Sequence, residues 1–135
     1  MLHLEIVTPE KLSFEGDVDS VVIPGSEGEF TVLQQHIPLM TQIKPGELVV
    51  TANGKKEYLA VGEGFATVTH DRVNILTDMA ITWEHIDESA AEAAVERAKA
   101  TLAGQHDLHE EELASVQASL LKSLAQLHVK RRHHS

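Results

Sequence analysis

The sequence predicts an α+β fold: an N-terminal antiparallel β-sandwich over residues 1–84, then a C-terminal antiparallel two-helix hairpin over residues 85–135. Three observations predict it. Apolar and polar residues alternate from Leu2 to about Trp83, which is the period of a strand. Gly, Pro and Asn interrupt that alternation at short intervals, as turns between strands require. After Trp83 proline disappears, glycine remains only at Gly104, and alanine and leucine recur at helical spacing.

The strands follow in order. Leu2, Leu4 and Ile6 share one face, with His3 and Glu5 on the other. Leu12 and Phe14 alternate with Ser13 and Glu15. Val18, Val21, Val22 and Ile23 form the next apolar run, and Pro24-Gly25 and Gly28 mark a turn before Phe30–Leu33. Pro38 and Pro45-Gly46 punctuate the stretch that leads to Leu48–Val50. Asn53-Gly54 is a two-residue hairpin turn that needs positive φ, and Tyr58–Val61 returns from it. Gly62-Glu63-Gly64 breaks the chain before Phe65–Val68, and Asp71-Arg72 turns it into Val73–Leu76. Many short strands at even spacing predict a sandwich or flattened barrel.

Asp87 is placed to N-cap the first helix, with Glu88 in its positive first turn. Ala90, Ala91, Ala94, Val95, Ala98 and Leu102 fall at helical spacing, and Gly104 is positioned to end the helix. Asp107 and Glu110 have the spacing of a capping box for the second helix. Leu113, Val116, Leu120, Leu124 and Leu127 form its apolar stripe. Glu110–Glu112 at its start and Lys130–Arg132 at its end complement the helix dipole. The alanine-rich first helix allows a close approach by the leucines of the second. These anchors are too few to offset the ordering of two helices, so the hairpin is expected to need a second surface, the sandwich or a partner chain.

Composition narrows the function. The formal net charge of -10 argues against nucleic acid, whose phosphates call for a basic footprint. It argues equally against direct adsorption on anionic lipid. The chain opens on alternating Leu2–Val7 rather than a signal peptide, and no run has the length of a membrane span. A soluble protein without direct membrane insertion is expected. With no cysteine there is no disulfide and no thiolate chemistry.

No constellation for catalysis emerges. A Gly-x-Ser-x-Gly elbow and a Walker loop are both missing, so neither a serine hydrolase nor an autonomous ATPase is expected. The nine histidines include His106-x-x-His109 and His133-His134, but no His-Glu-x-x-His. They are read as solvent-facing, with no metal and no cofactor. A carbohydrate- or peptide-binding sandwich with a helical tail is the alternative, weakened by an aromatic content of 4%.

One segment carries a more specific signal. Pro24-Gly25, Gly28-Glu29, the Phe30–Leu33 run, His36-Ile37-Pro38-Leu39 and Lys44-Pro45-Gly46-Glu47-Leu48 occur in an order that resembles the ε-subunit family of the F-type (rotary) ATP synthase. Gly62-x-Gly64-Phe65, Val73–Asp78 and the following helical hairpin extend the resemblance over essentially the whole chain. The resemblance implies a non-catalytic subunit of the central rotor stalk, peripheral on the cytoplasmic face of the cell (inner) membrane. Its sandwich would bind the γ subunit and the ring of c subunits, coupling proton or sodium flow to ATP synthesis. It implies that Glu29, His36, Ile37 and Pro38 face the rotor. It also implies that the hairpin can reach the catalytic β subunits and hinder ATP hydrolysis, with Lys122, Lys130, Arg131 and Arg132 as the basic contacts. Some members bind ATP through Ile/Leu-Asp-x-x-Arg-Ala. Here Ile86-Asp87-Glu88-Ser89-Ala90-Ala91 keeps Asp87 but has alanine in place of the arginine, so weak or absent nucleotide binding is expected.

Overall fold

The computed structural model describes residues 2–35, 38–104 and 109–133. Ten strands precede two helices: β1 (Leu2–Val7), β2 (Leu12–Val18), β3 (Ser20–Gly25), β4 (Gly28–Leu33), β5 (Leu39–Ile43), β6 (Gly46–Ala52), β7 (Lys55–Val61), β8 (Gly64–Val68), β9 (Arg72–Thr77) and β10 (Ala80–Thr82). A single 3-10 turn, Trp83–His85, leads to α1 (Glu88–Ala103) and α2 (Glu110–His133).

The strands make one hydrogen-bonded sheet that closes over its own apolar face. One half runs β10-β7-β6-β3, with β4 on the other edge of β3; the second half runs β5-β8-β9-β1-β2. The halves are joined where Gly25 of β3 pairs with Ile43 of β5. Leu2, Leu4 and Ile6 of β1 share the inward face, as alternation predicts, and with Val21 and Ile23 of β3 and Val73 and Ile75 of β9 they are fully buried in one core. Asn53 and Gly54 take φ of 54° and 78°, as a tight hairpin turn between β6 and β7 requires. A Cβ at Gly64 would collide with the backbone carbonyl of Leu76, which explains a glycine at the start of β8.

Two features depart from the sequence reading. The sheet is not wholly antiparallel, because β1 runs parallel to β9, with Leu4 opposite Val73 and Ile6 opposite Ile75. Side-chain alternation has the same period in either direction, so it carries no information about strand polarity. The leucine stripe is also divided. Leu127 is buried with Ala91 and Val95 of α1, and Leu120 packs against that cluster, but Leu124 is exposed. On α1, Ala90 is exposed while Ala91, Val95 and Ala98 are buried. Short alanines cover only the leucines directly above them. The second surface of α2 rests instead on Val129, which is fully buried with Ala60 of β7 and Ile86.

Asp87 caps α1 as predicted: its Oδ1 accepts the N–H of Ala90 at 3.0 Å. Gly104 follows as the C-cap, donating its N–H to the Ala100 carbonyl at 3.1 Å, with an ordinary negative φ of -96°. Asp107 lies outside the described residues, so the capping box at the start of α2 does too.

Candidate interaction surfaces

The two outer faces of the sandwich differ in kind. Strand pairing places Glu47 of β6, Ala60 of β7 and Ile81 of β10 in one outward row, with Val49 and Tyr58 beside it. α2 lies across this face. Val129 fills the space over Ala60, ringed by Tyr58, Met79, Ile81 and Trp83. β7 is therefore buried on both sides, with Leu59 and Val61 in the core and Ala60 under the helix.

Polar contacts fix the helix along this seam. Lys130 Nζ donates to the Trp83 carbonyl at 3.1 Å and lies 5.1 Å from the Trp83 ring centroid. Arg132 donates Nη1 to Glu47 Oε1 at 3.0 Å, and His133 Nε2 meets Glu47 Oε2 at 2.6 Å. Lys122 reaches Asp78 only at 3.9 Å. Arg131 turns the other way, onto Glu88 at 3.0 Å and Glu92 at 3.6 Å of α1. All four predicted basic contacts are thus engaged within the chain. His133 is half-buried and bonded rather than solvent-facing, which corrects the sequence reading; a histidine near a chain end gave no signal of a partner 86 positions away in β6.

The opposite face is open. Register places Gln42 of β5, Phe65 of β8, Leu76 of β9, Val7 of β1 and Leu12 of β2 in one outward row. Phe65 is 50% exposed, Leu76 57% and Leu12 50%. Met40, in the neighbouring row, is 70% exposed. The sequence reading grouped Leu12 with Phe14 on one face; the register shift between Ile6 and Val7 turns Leu12 outward instead, and only the strand order brings these residues side by side. A run of large apolar side chains on a flat sheet face marks an interaction surface.

Of the residues predicted to face the rotor, Glu29 is exposed near the start of β4, beside the Gly25–Gly28 turn. Pro38 is exposed after the other end of β4. The strand between them spans roughly 13 Å from Glu29 to Leu33, so the two do not share a turn. His36 and Ile37 lie outside the described residues. Leu33 and Leu39, both exposed, border this end.

A cleft of about 550 Å³ opens between the helices and the β10 edge, lined by Met79, Ile81, Arg97, Thr101, Ser119 and Lys122 among others. Asp87 is not among its walls. On the far side, the outward residues His3, Glu5 and Glu15 come together with Asp17. His3 already meets Glu15 through Nε2 at 3.4 Å and Asp17 through Nδ1 at 3.3 Å. These His3 contacts lie beside Glu5 and Glu15, two like charges that stand directly opposite across β1 and β2. Among the described residues, no helix is long and apolar enough to cross a membrane.

Comparison with known proteins accounts for nearly the whole chain. Residues 1–83 match the family described as ATP synthase, Delta/Epsilon chain, beta-sandwich domain. Residues 84–131 match ATP synthase, Delta/Epsilon chain, long alpha-helix domain. The ATP synthase epsilon chain of Nitratidesulfovibrio vulgaris is 42% identical over 129 residues, covering 96% of this chain and 95% of that one. The ATP synthase epsilon chain of Chloroflexus aggregans is 39% identical over 132 residues, covering 98% and 94%. Among solved structures, a chain of the Euglena gracilis mitochondrial ATP synthase, described with OSCP, F1 and c-ring, superposes with a TM-score of 0.76 at 27% identity. That match covers 92% of this chain and 78% of the other. A chain of the Tetrahymena thermophila mitochondrial ATP synthase shares the fold alone, with a TM-score of 0.57 at 9% identity.

Proposed function

Because this chain belongs to the delta/epsilon family of ATP synthase subunits, we propose a division of labour between its two outer faces. The chain is an ε-type subunit of an F-type ATP synthase, a component of the central stalk that turns with the rotor. Its membrane association is peripheral, through the c-ring. It carries no catalytic role of its own: it transmits torque and regulates, while the chemistry belongs to the β subunits. The carbohydrate- or peptide-binding alternative is not favoured. Of the aromatics such a site would use, Tyr58 and Trp83 lie beneath the hairpin.

The observation that carries the reading is the asymmetry of the sandwich. One outer face is covered by the chain's own helix; the other offers Phe65, Leu76 and Leu12 to a partner. Residues 1–84 grip γ through that stripe, because a rotor joint needs an apolar contact that resists shear. The Glu29 end and the Pro38 end of β4, with His36 and Ile37 between them in sequence, meet the polar loops of the c-ring. Residues 85–135 form the regulatory hairpin. Its basic end, with Lys122, Lys130, Arg131 and Arg132, complements acidic surface on the β subunits once it leaves the sandwich.

Co-purification with γ from the same genome tests this assignment. A stoichiometric complex is expected, and it should persist when the hairpin is detached by substitution at Val129. Absence of any complex would remove the γ-binding role assigned to the open face.

A further inference from the structure

Glu47 is an unusual acid. It sits in the second position of β6, on the outward row, and its side chain is only 6% exposed. Among the described residues both carboxylate oxygens are held by α2: Oε1 by Arg132 at 3.0 Å and Oε2 by His133 at 2.6 Å. These are the shortest side-chain contacts to a carboxylate between helix and sandwich there, against 3.9 Å for Lys122 and Asp78. The rings of Tyr58 and His133 stack over the same site. Among the described residues, Arg131, one residue earlier, bonds within the hairpin, to Glu88 and Glu92.

The two sets of contacts therefore respond differently when the hairpin lifts away. Those of Arg131 travel with it and survive. Those of Glu47 are all lost together, and the carboxylate, Arg132 and His133 must each find water or another partner.

We propose that Glu47 is a latch: it sets the fraction of molecules with the hairpin docked, and withholds Arg132 and His133 from any rival acidic surface. A rival must offer carboxylates to a guanidinium and an imidazole on consecutive residues, as Glu47 does. The latch is a property of the isolated chain. Only its consequence in the enzyme rests on the regulatory role proposed above for the hairpin.

Amide hydrogen exchange on the full-length chain tests it, comparing Glu47→Gln, Arg132→Gln and the double variant. The Glu47 side chain points outward, so β8 and β9 amides should keep their protection. Exchange over residues 123–133 should rise about tenfold or more in Glu47→Gln, and less in Arg132→Gln, which leaves the His133 contact. The double variant should match Glu47→Gln alone, because Arg132 acts through Glu47. Exchange within twofold of the parent in Glu47→Gln, or effects that multiply in the double variant, would overturn the latch. Arg132→Gln leaves the sandwich untouched, so it guards against a folding defect at position 47. ATP hydrolysis by a reconstituted catalytic head then separates the two ideas. Faster exchange with stronger inhibition supports both; faster exchange with unchanged hydrolysis sustains the latch and removes the regulatory role.

Discussion

The imidazole of His133 stacks on the ring of Tyr58, with centroids 3.6 Å apart and planes 22° from parallel. The two residues are the C-terminal end of α2 and the middle of β7, so one ring contact ties the end of the hairpin to the sandwich. Trp83, the single tryptophan, lies 6.4 Å from the same imidazole. Tyr58→Ala is expected to weaken docking by about 1 kcal/mol beyond the lost apolar area. Trp83 reports it: its emission should shift to the red as the helix lifts and water reaches the indole. An unchanged spectrum would mean that the stack contributes nothing to docking.

The open stripe gives a sharper test of the γ interface. Phe65 and Leu76 are direct cross-strand partners, and both project from the sandwich. Replacing both with Thr, which suits a strand and brings no charge, removes little from the core, so the melting temperature should stay within about 2 °C. Affinity for γ should fall by about 30-fold or more, on the order of 2 kcal/mol, as for the centre of an interface. Surface plasmon resonance with immobilised γ measures it. Undiminished binding would place γ on another face.

Much of this was legible in the sequence. Alternation and turn residues pointed to the shared face of Leu2, Leu4 and Ile6 in β1, the Asn53-Gly54 hairpin and the Asp87 cap, because each is a local property of a few residues. What escaped was long-range. The parallel pairing of β1 with β9 joins strands from opposite ends of the sandwich, and no local pattern encodes it. The row Phe65–Leu76–Val7–Leu12 exists only once four strands are in register. Glu47 read as part of a turn motif, and nothing near it in sequence announced Arg132 and His133. The resemblance pointed to Lys130–Arg132 as contacts, yet their first partners are inside the same molecule.

The fold also predicts that its two layers fail separately. Ile75 is fully buried in the sandwich core, and Ile75→Ala should cost about 2–5 kcal/mol and lower the melting of the whole chain. Val129 is equally buried, but between helix and sheet. Val129→Asp places a charge against the apolar Ala60 and Ile86. Helical circular dichroism should decrease, because the hairpin loses its second surface, while exchange protection in β8 and β9 persists. Cooperative loss of both layers in Val129→Asp would show that the hairpin is integral to the sandwich rather than docked on it.

Asp87 separates a structural role from a nucleotide-binding one. Its Oδ1 is committed to the N–H of Ala90, and Ala90 supplies no charge for a phosphate. Asp87→Ala should therefore cost α1 about 1 kcal/mol through the lost cap. ATP is expected to bind the parent chain weakly, with a Kd above about 1 mM, a binding free energy no better than about -4 kcal/mol. Arg97 and Lys122 do line the cleft under the hairpin, but Arg97 is exposed and Lys122 faces Asp78, so neither is preorganised for phosphate. Isothermal titration calorimetry with the parent and Asp87→Ala decides the matter. Micromolar affinity in the parent that vanishes in Asp87→Ala would assign the carboxylate to ATP and make the cap its secondary duty.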